Sequence, residues 1–133
     1  MQDNNDFYTL YTIHTNNILS KNMALGCILL KMVDGENQRS GQCLEALMQL
    51  ILDQGMEIDN FRTICENNEF LSTDILRLAS KNVGASSMIE RLMVLSSQDD
   101  KSPEPGDLTE CLLTLVQSQF IDIQSVRAQV SSS

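Results

Sequence analysis

The sequence contains no tryptophan, two prolines and one histidine, and it has half as many basic as acidic side chains. Nine lysines and arginines against 18 aspartates and glutamates leave the 133 residues with a net charge of −9. A surface with this excess of negative charge repels nucleic-acid phosphates and anionic lipid headgroups, so we expect neither as a partner. The apolar runs are all shorter than the roughly 20 residues that span a bilayer, and no membrane-crossing helix is predicted.

Aromatic side chains are scarce, with four phenylalanines and two tyrosines, whereas methionine occurs seven times and leucine and isoleucine are frequent. Leucine and methionine lose little side-chain freedom in a helix, and strands favour valine, threonine and aromatic residues instead. The sequence therefore predicts an all-α fold in a single domain, residues 1–133, with residues 1–6 and 131–133 frayed. Residues 98–106 (QDDKSPEPG) contain both prolines and no apolar residue, which predicts an exposed loop.

Local signals divide this fold into six to eight short helices joined by short turns. The strongest helix is predicted over residues 41–54, where apolar residues recur at i, i+3, i+4 and i+7, and Gly55 is expected to end it. Asn22 and Asp59 are predicted helix N-caps, and Gly84 is predicted near a helix stop.

Four cysteines, Cys27, Cys43, Cys65 and Cys111, are far apart in the sequence, and each falls within an apolar helical pattern. Metal sites usually contain close pairs such as C-x-x-C, and disulfide frameworks belong to secreted chains. The first ten residues lack the basic start and apolar centre of a secretory signal peptide. We therefore predict four reduced thiols in the core of an intracellular protein, located in the cytoplasm or nucleus.

No arrangement of residues in the sequence predicts a catalytic or cofactor site. His14 is the only histidine, and no serine or cysteine stands at a spacing that suggests a catalytic pair with it. The glycines match neither the phosphate-loop nor the dinucleotide-binding pattern. Acidic residues fall at predicted helix caps, such as Asp59, or on solvated helix faces, such as Glu45. We predict that the protein is not an enzyme and holds no cofactor and no metal.

Residues 60–82 (NFRTICENNEFLSTDILRLASKN) read as a short helix with an apolar pair, a polar corner, and a longer helix with an apolar face. The pair is Ile64 and Cys65, the corner is Asn67 and Asn68, and the longer face is Leu71, Ile75 and Leu78. This order resembles part of an armadillo or HEAT-type helical repeat, with asparagines where the repeat usually has a glycine. The resemblance implies a short armadillo/HEAT-like superhelix that binds a peptide or protein. The alternative architecture is a compact, non-repetitive helical bundle.

The function that fits these observations is a non-catalytic protein–protein interaction module, an adaptor or scaffold domain that binds a peptide or helix of a partner. Arg77, Lys81 and Asn82 are predicted contacts, because Arg77 and Lys81 put positive charge on an acidic chain and would attract an acidic peptide. The predicted helix that contains Met23 and Leu30 is apolar on nearly every side. These two residues are therefore predicted contacts of a partner protein, or of a second copy in a homodimer.

Two other functions are compatible with the same pattern. A small regulatory helical bundle would bind a partner's amphipathic helix in an apolar groove. A structural subdomain of a larger scaffold would expose apolar faces on its terminal helices. A shallow polar concave surface would favour the repeat-type module, and an apolar groove would favour the regulatory bundle.

Overall fold

The computed structural model describes residues 4–34, 41–70, 72–97 and 105–131 of the chain. These residues form four α-helices: α1 (Asn4–Val33), α2 (Gly41–Asn67), α3 (Thr73–Ser97) and α4 (Pro105–Ser131). The all-α prediction is confirmed. Most of the predicted loop at 98–106 lies outside the described residues, as do 1–3 and 132–133 of the predicted frayed ends. Helix α4 begins with Pro105. Proline is common at the first position of a helix, because that position needs no amide donor.

The prediction of six to eight short helices is wrong, because the described chain forms four helices of 25 to 30 residues. The residues that the sequence marks as helix boundaries lie inside helices: Asn22 in α1, Gly55 and Asp59 in α2, and Gly84 in α3. In α2 the buried residues follow at alternating steps of three and four positions: Leu44, Leu47, Ile51, Gln54, Ile58, Phe61 and Cys65. This heptad spacing keeps one face of a long helix in the core, and burial of that face outweighs the local cost of a glycine.

The four helices form a closed square in which each helix packs against two neighbours. Helix α1 contacts α2 and α4, and α3 contacts the same two helices. Tyr11, near the start of α1, donates a hydrogen bond to the carbonyl of Val126, near the end of α4. Gln129, also near the end of α4, donates to Asp74 at the start of α3, so these neighbours are antiparallel. Antiparallel neighbours, with the first helix in contact with the last, are the arrangement of an up-and-down four-helix bundle.

Two apolar clusters fill the bundle, one on each side of its middle. Core A joins the end of α1, the start of α2, the end of α3 and the start of α4: Leu25, Leu29, Met32, Leu44, Leu47, Ile51, Ala85, Ile89, Leu92, Leu112 and Val116. Core B joins the opposite ends of the same helices: Tyr11, Ile18, Ile58, Phe61, Cys65, Ile75, Leu78, Ile123 and Val126. Aromatic rings gather in core B, where Tyr11 packs edge-on against Phe61 with ring centroids 5.1 Å apart.

Between the two apolar clusters each helix contributes one buried carboxamide side chain: Asn22, Gln54, Asn82 and Gln119. We call these four side chains the carboxamide layer. Gln119 Oε1 accepts hydrogen bonds from Gln54 Nε2 at 3.1 Å and from Asn22 Nδ2 at 3.5 Å. Gln54 Nε2 and Gln119 Nε2 both donate to Asn82 Oδ1, at 2.7 and 3.3 Å. Side-chain hydrogen bonds therefore connect all four helices at one level of the bundle.

Three members of the layer also donate to a backbone carbonyl of a neighbouring helix: Asn22 to Val116 (3.1 Å), Asn82 to Ile51 (3.0 Å) and Gln119 to Leu78 (3.2 Å). A buried carboxamide without partners costs free energy, so these bonds are what makes four of them tolerable in one core. Within the described part of the chain, Gln54 Oε1 is buried without a hydrogen-bond partner.

Gly55 lets α2 approach α3 closely at the layer. A Cβ atom on this residue would lie 2.9 Å from Asn82 Nδ2, closer than the two atoms pack. The same Nδ2 group donates to the carbonyl of Ile51, so moving it aside would break that bond. The sequence predicts Gly55 as a helix end, but the residue is a glycine because the layer leaves no space for a side chain at this position.

The turn after α2 ends that helix with a Schellman motif. The amides of Glu69 and Phe70 donate to the carbonyls of Glu66 (3.2 Å) and Cys65 (2.8 Å), which is the 5→2 and 6→1 pattern of the motif. Glu69 has φ of 57°, a left-handed conformation that favours glycine. Phe70 then packs against core B, so the turn holds α2 and α3 together as a hairpin.

Replacing Glu69 by glycine is expected to raise the free energy of unfolding by about 1 kcal/mol, because glycine adopts the left-handed conformation without strain from a Cβ atom. Urea unfolding followed by circular dichroism measures the change. Glu90→Gly, at an exposed position inside α3, is the control and is expected to lower the free energy of unfolding by about 1 kcal/mol. A Glu69→Gly protein no more stable than the parent would contradict this account of the turn.

Gly26 in α1 and Gly55 in α2 provide a matched test of the space that the layer requires. A Cβ atom on Gly26 meets nothing within 4 Å, so Gly26→Ala is expected to stabilise the protein by about 1 kcal/mol through helix propensity. Gly55→Ala gains the same propensity but displaces Asn82, and we expect it to be about 1–3 kcal/mol less stable than Gly26→Ala. Equal effects in the same urea titration would show that the layer does not need a glycine at position 55.

Candidate functional site

An apolar groove lies between α1 and α4 on the surface of the bundle. Its cavity volume is about 210 Å³. The residues that line it come from both helices: Asn22, Met23, Gly26, Cys27, Leu30, Leu113, Val116, Gln117 and Phe120. None of these lining residues is an acid or a base, although the chain carries a net charge of −9. We call this feature the α1/α4 groove.

The heptad spacing of α1 leaves apolar side chains on this surface. Met23, Cys27 and Leu30 are spaced i, i+4 and i+7, on a face that flanks the buried stripe of the helix. Met23 is 56% and Leu30 is 47% exposed, so both border the groove and reach solvent. Phe120, which is 38% exposed, stands across from them on α4.

Gly26 leaves an open space in the α1 wall of the groove. It lies three positions after Met23 and four before Leu30, so all three share one face of the helix. A Cβ atom at Gly26 would meet no atom within 4 Å. An apolar side chain of another molecule therefore has room to enter between Met23 and Leu30.

The floor of the α1/α4 groove is part of the carboxamide layer. Asn22 lines the groove and is only 2% exposed. Its Nδ2 atom donates to the carbonyl of Val116, which also lines the groove, and to Gln119. Hydrogen bonds between α1 and α4 therefore hold the floor in place beneath apolar walls.

A second groove, of about 360 Å³, lies between α2 and α3. Its chemistry differs, because Asp59 and Arg62 of α2 line it. Its exposed apolar side chains are Leu76 and Val83 of α3, at 50% and 67% exposure. The α2/α3 groove is therefore larger than the α1/α4 groove and presents charges of both signs.

Two of the five residues predicted as partner contacts, Met23 and Leu30, lie together on the α1/α4 groove. A third, Asn82, is 6% exposed and bonds within the carboxamide layer, so its side chain supports the core and offers little surface to a partner.

The other two predicted contacts, Arg77 and Lys81, are engaged in ion pairs. Arg77 Nη2 lies 2.6 Å from Asp74 Oδ1 within α3. Lys81 Nζ lies 2.7 Å from Asp122 Oδ2 of α4. An acidic peptide would have to compete with these two carboxylates, which weakens the electrostatic reason for choosing Arg77 and Lys81. A role for them in partner binding stays a prediction.

Sequence reasoning missed Gly26, Leu113 and Phe120 as groove residues. Leu113 and Phe120 are one heptad apart on α4, each directly after a buried residue, Leu112 and Gln119 respectively. This second apolar column beside the buried one was visible in the sequence. It gains meaning only when α4 is recognised as one long helix packed against α1.

The cysteines differ from the predicted set of four core thiols. None of the four is in a disulfide, but Cys27 and Cys111 are exposed, Cys43 is half-buried and Cys65 is buried. Burial raises the pKa of the Cys65 thiol to about 12, with a smaller contribution from the negative charge of Glu66. The buried thiol therefore stays protonated at neutral pH and is a poor nucleophile.

His14, the only histidine, forms a contact between helices. Its Nδ1 atom lies 3.3 Å from Glu57 Oε2, with both side chains half-buried between α1 and α2. Over the ranges that the structure describes, no three His, Cys, Asp or Glu side chains come together as a metal site. No helix in those ranges is long and apolar enough to cross a membrane.

Comparison of the chain with protein-family models, curated proteins and solved structures finds no match. The resemblance of residues 60–82 to an armadillo or HEAT repeat therefore stays a prediction. Its polar corner coincides with the end of α2 at Asn67, and Ile75 and Leu78 of its longer helix lie in core B. Leu71 lies outside the described residues.

The exposures predict the order in which the thiols react with iodoacetamide in the folded protein. Cys27 and Cys111 are expected to react first, Cys43 more slowly, and Cys65 only when the chain unfolds, because Cys65 is buried and its thiol keeps its proton. Peptide mass spectrometry of timed samples at pH 8 measures each rate. Alkylation of Cys65 as fast as Cys27 under native conditions would contradict the packing of core B.

Proposed function

We propose that the chain is a non-catalytic interaction module that binds an amphipathic helix of a partner protein in the α1/α4 groove. The observation that carries the proposal is the open space at Gly26 between half-exposed Met23 and Leu30. An occupant helix would lie along the groove and insert an apolar side chain there. The apolar walls favour the small regulatory bundle among the functions that the sequence allows.

The size of the groove supports a helical occupant over a small molecule. Its volume of about 210 Å³ is below the roughly 300–1,000 Å³ of typical small-molecule sites. Met23 and Leu30 are one heptad apart, about 10 Å along the helix axis. That length matches two turns of an occupant helix that presents apolar residues at i, i+3 or i+4, and i+7.

Charge favours a different protein over a second copy of this chain as the occupant. Two copies with a net charge of −9 each repel one another, whereas a helix with basic residues is attracted. Asp34 and Glu110 are exposed about one turn beyond Leu30 and one turn before Leu113, at the same end of the groove. Lys31 offsets part of this charge, and the balance still favours basic residues beside the apolar face of the partner.

The side chains capable of chemistry support a role without catalysis or a cofactor. Burial raises the pKa of the Tyr11 hydroxyl as it does that of Cys65, so both remain neutral at physiological pH. His14 is turned toward Glu57. The four cysteines, which form no disulfide, support an intracellular location in the cytoplasm or nucleus, because such compartments keep cysteine reduced.

The α2/α3 groove is the second candidate site, as the peptide-binding surface of an adaptor or scaffold. Its origin favours it, because several of its residues belong to the segment that resembles a helical repeat. Exposed Leu76 and Val83 would supply the apolar contacts. The two grooves make different predictions for the same binding experiment.

A display library of peptides of about 20 residues, selected on the immobilised chain, tests the proposal. We expect the selected peptides to carry an apolar helical face with flanking basic residues. Leu30→Asp is expected to weaken their binding by about 10- to 100-fold, since it places a charge against the apolar face. Gly26→Leu fills the groove from within and is expected to weaken binding as much, with no change in the circular dichroism of the chain.

Val83→Asp is the matched control, because it puts the same charge on the α2/α3 groove at a residue that is 67% exposed. It is expected to leave the affinity unchanged. Peptides that lose affinity with Val83→Asp and not with Leu30→Asp would contradict the assignment to the α1/α4 groove. Light scattering of the chain alone tests the other occupant: a dimer that survives dilution and is lost in Leu30→Asp would show that a second copy fills the groove.

A further inference from the structure

We infer that the carboxamide layer locks the register of α1 and α4 against the α2–α3 hairpin, and thereby selects one packing among several that the apolar pattern allows. This inference concerns the specificity of the fold and does not depend on the proposed function.

The apolar pattern alone does not define how α1 and α4 align with the other helices. One heptad before and after Gln119 stand Leu112 and Val126, both of them buried and apolar. One heptad after Asn22 stands Leu29, which is also buried. A helix displaced by one heptad, about 10 Å along its axis, would still present a continuous buried column to the core.

The connections restrict the helices to different degrees. Helices α2 and α3 are joined by the Schellman turn around Glu69, which leaves little freedom in their alignment. Residues 35–40 connect α1 to α2, and residues 98–104 connect α3 to α4. An extended segment of six or seven residues reaches about 20 Å, which is long enough to permit a displacement of one heptad. The register of α1 and α4 therefore needs a further constraint.

The carboxamide layer supplies that constraint. In the observed register Gln119 bonds to Asn22, Gln54 and Asn82 at once. A displacement of α4 by one heptad would put Leu112 or Val126 in its place and move its carboxamide into core A or core B. Gln119 and Asn22 would then be buried without a carboxamide partner, and of the bonds within the layer only the one from Gln54 to Asn82 would remain, which is unfavourable.

The layer is poorly explained as a source of stability. Gln54 Oε1 is buried without a partner among the described residues, which an apolar side chain of similar size would avoid. Polar residues in the core of a helical bundle typically specify alignment at the expense of stability. We therefore expect an apolar layer to give a bundle that resists denaturant better and is less uniquely packed.

The test is a variant with all four carboxamides replaced: Asn22→Leu, Gln54→Leu, Asn82→Leu and Gln119→Leu. Spin labels on Cys27 of α1 and on Glu45→Cys of α2, both exposed positions, report the alignment of α1 by pulsed electron–electron double resonance. In a second set of proteins, labels on Cys111 of α4 and on Glu90→Cys of α3, also exposed, report the alignment of α4. All other cysteines are changed to alanine in each set, so that only the two chosen sites carry a label.

The parent is expected to show one narrow distance between the two labels. The apolar-layer variant is expected to keep its helical circular dichroism, to unfold at a higher denaturant concentration, and to show more than one distance or a distance changed by several ångströms. One narrow distance equal to that of the parent would overturn the inference, since the register would then be set without the layer.

Thr15→Val is the control for adding apolar surface to the core. Thr15 is buried, and among the described residues its hydroxyl bonds only to carbonyls of its own helix, so this change is expected to leave the single distance intact. The double variant Gln54→Leu with Asn82→Leu replaces the quadruple variant if the latter aggregates. It leaves Asn22 and Gln119 paired, so α1 and α4 would slip together against the hairpin, and an unchanged distance would again overturn the inference.

Discussion

Four buried carboxamides, one from each helix, must hydrogen-bond to one another in the middle of this bundle because core A and core B exclude water on both sides. Other features follow from that requirement. Gly55 is a glycine so that Asn82 can reach the carbonyl of Ile51. Gln119 is central because it bonds to the other three members. The layer ties every helix to the same level and sets the shape of the surface above it.

The α1/α4 groove is one result of that arrangement. Asn22 and the carbonyl of Val116 form its floor through a bond of the layer, and the uncovered faces of α1 and α4 form its walls. A hydrogen-bonded floor beneath adaptable methionine and leucine side chains would suit the proposed recognition of a helix, since little ordering of the groove would be needed on binding. The proposed interaction and the proposed register lock therefore share one residue, Asn22, and fail or succeed in separate experiments.

The sequence predicted the fold class and two residues of the candidate groove, and it failed where contacts between helices decide the outcome. Scarce aromatics and abundant leucine indicated an all-α fold, and the apolar surroundings of Met23 and Leu30 indicated an accessible surface. Gly55 looked like a helix end because its reason for being glycine is a side chain on another helix, Asn82. Local propensity cannot include such a contact, and the same limit hid Phe120, which meets the groove only after α4 packs on α1.

The side-chain amide signals of Asn22, Gln54, Asn82 and Gln119 in nuclear magnetic resonance spectra test the central claim most directly. The account predicts that these four NH₂ groups exchange slowly with solvent and that Asn22 shows through-space contacts to Gln119 across α1 and α4. Gln117, which is exposed and lies two residues before Gln119 on α4, is the internal reference for rapid exchange. Exchange of the four groups as rapid as that of Gln117, without contacts between helices, would contradict the existence of the layer.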